Sequence, residues 1–425
     1  MNIESLHKLF LDCNTVSTDS RKVAENNMFF ALSGDNFNGN VFAQDALKKG
    51  ATYAIIDDKD YLTSDKTILV NDSLKTLQAL ANYHRQYLGL KIIALTGSNG
   101  KTTTKELIHT VLSQKYNTTA TIGNLNNHIG VPLTLLSMTK QTEIGIVEMG
   151  ANHQKEIEFL CQIAQPDYGY ITNFGKAHLE GFGGVEGVIK GKSELYEYLV
   201  TNNKHIFLNA DDAIQKEKLK HYIKKFGFSQ NDSNYFKIEF LGANPFVTLK
   251  IEDTKIQSNL IGEYNFTNLS AATIIGKYFN VKIDAIKKAI ESYIPTNNRS
   301  QIINKGNNTI ILDAYNANPS SMEVALKHFS KQEQNNKIAI LGDMFELGNS
   351  ASEEHQNIAE FANSLNIDSI ILIGEHFFKA NINSSKVKQY QTFEEFKAKF
   401  KPITNSTLLI KGSRGMALER VLELL

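Results

Sequence analysis

The sequence predicts an α/β protein of three domains: a small α/β unit, a central parallel-sheet domain carrying a phosphate loop, and a Rossmann-like C-terminal domain. Three observations carry that expectation. The 425 residues exceed one domain; at ~150 residues each they make about two to three. From Lys91 onward, short apolar runs alternate with longer stretches of helical spacing, as a parallel sheet covered by helices requires. The same alternation restarts after the turn-forming Pro295-Thr-Asn-Asn-Arg299 segment, which reads as a linker before a second doubly wound pattern.

Composition narrows the function classes. Lys plus Arg and Asp plus Glu are 45 each, so no net field grips a nucleic-acid backbone. At 42% hydrophobic residues and 6 prolines the chain folds rather than remaining disordered. Cys13 and Cys161 lack the number and spacing of a disulfide framework or zinc site. Glu4, His7 and Lys8 interrupt the first residues, leaving no apolar signal-peptide core. Without a run of 18 apolar residues, the expectation is a soluble cytoplasmic protein with no membrane span and no nucleic-acid partner.

In chain order, residues 1–88 form the small unit, with strands expected at 28–32 and 53–56 and helices at 41–49 and 74–88. Residues 89–298 form the central domain. Its apolar runs predict strands at 92–96, 144–148 and 168–172, and its periodic stretches predict helices at 101–115 and 185–200. The region after Asn231 is strand-like and polar and ends in a helix at 269–279. Residues 299–425 form the last domain, with buried strands expected at 309–312, 337–341, 369–373 and 406–410. No internal repeat or low-complexity tract is visible.

The strongest local signal is Thr96-Gly97-Ser98-Asn99-Gly100-Lys101-Thr102-Thr103, between an apolar strand and a helix. Glycines let backbone N–H groups face a polyphosphate, and the helix N-terminus adds favourable partial charge. Lys101 would reach the β and γ phosphates and the Thr102 hydroxyl would ligate Mg²⁺. The spacing is the compact G-x-x-G-K-T rather than the common G-x-x-x-x-G-K-[ST]. The bland alternative is a glycine turn before a helix with an exposed lysine. Glu148, ending a predicted strand in Val-Glu-Met-Gly, stands where a carboxylate can hold Mg²⁺. His178 by itself is more often structural, and a lysine in the 185–200 helix is by default a solvated face.

The compact loop resembles that of the Mur ligases and the related folylpolyglutamate synthetases, ATP-dependent carboxylate–amine ligases that pass through an acyl phosphate. The E-M-G segment at Glu148 and the A-H-L-E-G segment at His178 resemble those that supply Mg²⁺ ligands in the Mur ligases. The resemblance further implies a carbamylated Lys192 as an anionic ligand of a second Mg²⁺. Here the segment reads Lys190-Gly191-Lys192-Ser193-Glu194 instead of K-G-E, so Lys190 competes for that role.

Further segments resemble the family member that joins D-alanyl-D-alanine to UDP-N-acetylmuramoyl-tripeptide, completing the UDP-linked pentapeptide of peptidoglycan. These are the loop carrying Asn124, Asn126, Asn127 and His128 ahead of a proline-started helix, and Asp313-Ala-Tyr315-Asn316-Ala-Asn318-Pro-Ser-Ser-Met322. Leu341-Gly-Asp-Met-Phe-Glu-Leu-Gly348 and Ile410-Lys411-Gly-Ser-Arg414 extend the match, and Asp19-Ser20-Arg21 resembles part of its uridine-binding domain. The resemblance implies substrate contacts for Asp19, Ser20, Arg21, Asn124, Asn126, Asn127, His128, Tyr315, Asn316, Asn318 and Lys411, ATP contacts for residues 97–103, Arg299, Asp313, Asn265 and Asn268, and two Mg²⁺ ions at Thr102, Glu148, His178 and Lys192. It also implies catalytic roles for Lys101, Glu148, His178, Lys192 and Arg299 and a chain acting as a monomer. Tyr264 stands where the related segment carries histidine. The asparagines could equally be helix caps or turn residues, and Lys411 and Arg414 ordinary surface cations. A folylpolyglutamate synthetase would begin close to its phosphate loop, whereas a whole unit precedes Gly97. The sibling adding the third residue usually carries D-N-P-R and a GTPase needs N-K-x-D; neither occurs. A non-catalytic nucleotide-binding module is the alternative of another class.

Overall fold

A computed structural model describes residues 1–333 and 336–425. Its first sheet has four strands in the order Thr15–Ser17, Asn27–Phe30, Tyr53–Ile56, Thr67–Leu69, all paired parallel. The middle strands are apolar runs with a helix layer on each side, so nearly every residue in them is buried. The helix expected at 41–49 divides into a 3-10 turn, Gly39–Phe42, and an α-helix, Ala43–Lys48.

Helix Ser73–Leu88 welds this unit to the next. The Asp72 carboxylate caps it by accepting from Lys75 N at 2.8 Å, and Gly89, at φ 62°, ends it. From its far face, Asn82 donates to the Ile163 carbonyl at 2.8 Å. Arg85 donates to the Ala164 carbonyl at 3.1 Å and pairs with Asp167 at 2.8 Å.

The central sheet has nine strands. Lys91–Thr96 lies between Ile144–Glu148 and Tyr168–Ile171, parallel to both. Connections therefore leave it in opposite directions, and its carboxyl end is a topological switch point, the place where such sheets take ligands. Thr118–Ala120 adds one edge; His205–Asn209 and Lys225–Ser229 extend the other before an antiparallel meander, Phe236–Ala243, Phe246–Ile251 and Thr254–Ile261. Helix Asn265–Tyr278 then crosses back onto helix Lys101–Leu112, burying Leu269, Ile274 and Ile275. The phosphate-loop helix stops three residues short of the expected end, at Leu112 rather than 115. The helix expected to start at Pro132 begins at Gly130.

The C-terminal sheet runs Gln301–Lys305, Asn308–Asp313, Thr407–Lys411, Lys337–Gly342, Ser369–Ile373, Val387–Tyr390. Only the first pair is antiparallel. Asp313 and Lys411 end adjacent strands in register, so both face the central domain from one sheet edge. No helix among the described residues is long and apolar enough to cross a membrane.

Candidate active site

At the switch point the chain turns through Gly97 at φ 140° and Gly100 at φ 79°. A Cβ on Gly97 would stand 2.0 Å from Thr172 Oγ1, and one on Gly100 2.6 Å from Asn268 Oδ1. Glycine is required at both positions by space as well as by backbone angle. The loop is braced from behind: Asn173 Oδ1 accepts from Asn99 N at 3.0 Å, and Thr172 Oγ1 donates to the Asn99 carbonyl at 2.6 Å. Lys101 folds over the loop and donates to the Gly97 carbonyl at 2.7 Å. Burial pulls its pKa down, an effect that Glu148 opposes and Arg299 reinforces.

Glu148 is held with little freedom. Its Oε1 accepts from Thr102 Oγ1 at 3.2 Å and Asn126 Nδ2 at 2.8 Å. Its Oε2 is buried with no hydrogen-bond partner among the described residues, 3.9 Å from Lys105 Nζ. An unpartnered carboxylate oxygen beside a hydroxyl suits a hard divalent cation. Among the described residues no three His, Cys, Asp or Glu side chains converge, so phosphate and water oxygens would have to complete the shell, as is usual for Mg²⁺.

Lys192 is fully buried and Lys190 exposed, so the solvated-face reading fits Lys190 alone. Lys192 Nζ donates to the Ala151 carbonyl at 3.0 Å and lies 4.9 Å from the centre of the Phe182 ring. Burial, and then repulsion from Lys101, hold its pKa far below the usual lysine value. Glu194 points elsewhere: it accepts from Lys155 N at 2.6 Å and Glu158 N at 3.0 Å, at the start of helix Glu156–Ala164. His178 sits in a left-handed conformation, φ 54°, and its Nδ1 meets the Glu346 carboxylate from the C-terminal domain, out of line for a hydrogen bond.

A cleft of about 860 Å³ gathers most of the expected residues. The loop residues Ser98 to Thr103, Glu148, His178, Arg299 and Asp313 line it, with Asn124, Asn126, Asn127 and His128 on one side and Tyr315, Asn316, Asn318 and Lys411 on the other. Several of these are already engaged. Asn127 Oδ1 caps helix Gly130–Leu136, accepting from Gly130 N at 2.9 Å. Asn318 caps helix Pro319–Ser330 and also donates to Asn99 Oδ1 at 2.7 Å. Asn265 donates to the Ile261 carbonyl, and Asn268 accepts from Thr104 Oγ1 at 3.0 Å, so this pair braces the loop while lining the cleft. The Arg299 guanidinium lies 3.7 Å from the centre of the Tyr315 ring, and both its neighbours, Asn298 and Ser300, adopt positive φ. Lys411 is buried, with Nζ 2.6 Å from Asp313; of the basic pair, only Arg414 is exposed, and it pairs with Glu419. Tyr264 is half-buried alongside, its hydroxyl 2.6 Å from Ser300 Oγ, and desolvation pushes the phenol up.

Asp19, Ser20 and Arg21 are not part of this cleft. They follow the strand Thr15–Ser17 at the carboxyl edge of the first sheet, where Arg21 Nε and Nη2 each donate to Asp19 at 2.9 Å. Gly97 and Lys192 are not among the residues that line the cleft.

Family models match the chain in three consecutive stretches. Residues 13–86 match "Mur ligase family, catalytic domain", 95–276 "Mur ligase middle domain" and 298–414 "Mur ligase, glutamate ligase domain". The chain belongs to the Mur ligase family. Two relatives, from Bacillus subtilis and Escherichia coli, are named UDP-N-acetylmuramoyl-tripeptide–D-alanyl-D-alanine ligase. Each is 32% identical, with 96% and 97% of this chain covering 92% and 93% of theirs. Among solved Mur ligases, MurF from Acinetobacter baumannii superposes with a TM-score of 0.84 at 29% identity, over 100% of this chain and 98% of that one. MurF from Thermotoga maritima in complex with ADP gives 0.82 at 26%, over 98% and 97%.

Two features of this Mur ligase cleft escaped the sequence reading. Lys105, buried beside Glu148, stands four residues after Lys101 and so on the same helix face, a spacing that could have flagged it. Glu346 lies in the matched segment 341–348, but its meeting with His178 comes from domain packing, which no local pattern announces.

Proposed function

We propose that this chain is an ATP-dependent amide ligase that joins D-alanyl-D-alanine to UDP-N-acetylmuramoyl-tripeptide, completing the pentapeptide precursor of peptidoglycan in the cytoplasm. One observation carries the proposal: a phosphate loop, a fixed carboxylate and the facing edge of a second α/β domain line a single cleft. Residues 1–88 would bind the UDP end, 89–298 ATP, and 299–425 would close over both, the chain acting as a monomer.

A free carboxylate is a poor electrophile, so the tripeptide carboxylate first attacks the γ-phosphorus of ATP, giving an acyl phosphate and ADP. Lys101 and the N-terminus of helix Lys101–Leu112 neutralise charge on the β and γ oxygens, and Arg299 adds a cation from the linker. The dipeptide amine then attacks the acyl carbon, and the tetrahedral intermediate expels phosphate. Two Mg²⁺ ions belong to this reading: Thr102 and Glu148 would hold one, His178 and a carbamylated Lys192 would hold the other, and the ions would supply positive charge to offset that of the reacting anions. A lysine kept neutral by burial is the form that adds to CO₂, losing a proton and ending as the anion required. Asn99 bonded to Asn318, and Ser320 bonded to Lys176, bring the C-terminal domain over the loop, where it would exclude water from the acyl phosphate.

An ADP-release assay tests this directly. ADP and phosphate should form with UDP-N-acetylmuramoyl-tripeptide only when D-alanyl-D-alanine is also present. Release with a single amino acid in its place would reassign the acceptor, and no release with either would overturn the reading.

A further inference from the structure

We propose that Glu346 is a positioning residue which sets the imidazole of His178 from the C-terminal domain. The inference rests on the reading of His178 as a working group of the cleft. Glu346 and His178 come from different domains, and each holds a left-handed backbone, φ 62° and 54°. Non-glycine residues keep that conformation where the surroundings impose it, and two meeting across one seam point to a constraint on both side chains. Nδ1 of His178 is buried and has no hydrogen-bond partner among the described residues, yet the Glu346 carboxylate lies against it. The loop bearing His178 is gripped from the same side: Lys176 N donates to Ser320 Oγ at 3.0 Å, and Lys176 Nζ pairs with Glu354 at 2.8 Å. A Cβ on Gly348 would stand 3.0 Å from the Glu180 side chain, so the two loops are in close contact.

A carboxylate at Nδ1 stabilises the ring with its proton there, which leaves the Nε2 lone pair turned to the cleft that His178 lines. Because the carboxylate arrives with the C-terminal domain, the histidine takes this form only when that domain is seated. Closure then completes the site as well as covering it.

The test compares Glu346→Ala and Glu346→Gln with the full-length parent. Nitrogen-labelled imidazole spectra, recorded with a non-hydrolysable ATP analogue and assigned through the His178→Gln variant, report which ring nitrogen carries the proton. The parent should show the Nδ1–H form, Glu346→Ala should move to Nε2–H, and Glu346→Gln, whose amide oxygen still accepts, should restore it. In turnover, Glu346→Ala should lose about 10–100-fold in kcat with KM for ATP and dipeptide unchanged, and Glu346→Gln should recover most of that loss. A plain tether between domains would raise KM and leave the ring spectrum alone. Glu346 is half exposed on a loop, so the melting temperature should not move. An unchanged ring spectrum or parental kcat in Glu346→Ala overturns the proposal. The spectrum needs no turnover, so a parent inactive with the substrates proposed above would refute that reading while the ring still decided this one.

Discussion

At the residue scale the two lysines assigned to the chemistry sit differently, Lys101 half-buried and Lys192 fully buried. Lys101 reaches back over its own loop, 2.7 Å from the Gly97 carbonyl, and needs only a small swing to meet a phosphate. Lys101→Ala should cut product formation by about 10²–10³-fold, the scale of losing one preorganised charge-stabilising donor; near-normal turnover would remove the loop from the chemistry. Among the described residues Lys192 has no carboxylate partner, only a carbonyl and the Phe182 ring face, so its burial favours the neutral amine. Lys192→Ala should be inactive yet partly rescued by acetate, which can occupy the place of a carbamate; full activity without rescue would take Lys192 out of the site. The phosphate loop was legible because its glycines answer to local backbone angles, which a sequence records directly. Lys411 was legible only as a cation, since its partner Asp313 lies on the neighbouring strand and strand adjacency is a tertiary fact. Asn127 and Asn318 were read as substrate contacts, and both also cap helices, a use that local sequence equally permits.

At the scale of elements, the seam between helix Ile3–Leu11, helix Ser73–Leu88 and the central domain carries a pH dependence. The Met138 carbonyl can only accept, so His84 Nε2 holds a proton and donates to it at 2.9 Å. His84 Nδ1 is therefore an acceptor, and His7 Nε2 donates to it at 2.9 Å. Both rings are buried and neutral. Burial, and then His84, lower the pKa of His7 from 6.5 to about 4, and burial lowers that of His84. The unfolded chain takes up protons near 6.5 and the folded one does not, so this contribution is complete above pH 6.5 and drains away as pH falls toward 4. For His7 it amounts to roughly 3 kcal/mol at most. Urea titrations across that window should show stability falling, and His7→Phe should flatten the slope; an equal slope in the variant would clear His7. Element boundaries show where sequence signals fade. Central strands appear within a residue or so of expectation because burial on both faces makes them continuous apolar runs. The edge strands Gln301–Lys305 and Val387–Tyr390 are half-exposed and polar, and nothing in their local pattern separates them from loops.

For the whole molecule, the two domain seams differ in kind, and the difference says which part moves. Helix Ser73–Leu88 joins the first unit to the central domain with buried leucines, the histidine pair and four backbone carbonyls accepting from Asn82 and Arg85. The C-terminal domain meets the central one largely through polar side chains: Asn318 on Asn99, Lys176 with Glu354, Glu346 with His178 and Lys331 with Glu263. Lys331 and Glu263 are both more than half exposed, and such pairs contribute about 0–1 kcal/mol and weaken with salt. The backbone between the seams turns at Asn298 and Ser300, both at positive φ, beside the Arg299 side chain that faces the phosphate loop. On this geometry the C-terminal domain is expected to be the moving part, with Arg299 as the residue that would report its arrival. Small-angle scattering should therefore show the free chain expanding as salt is raised. It should show compaction when an ATP analogue and UDP-N-acetylmuramoyl-tripeptide are added together, and Arg299→Ala should lose most of that compaction while the first seam holds. A radius of gyration indifferent to ligands and salt alike would mean that the polar seam is as fixed as the apolar one, and that water is kept from the acyl phosphate by some means other than closure.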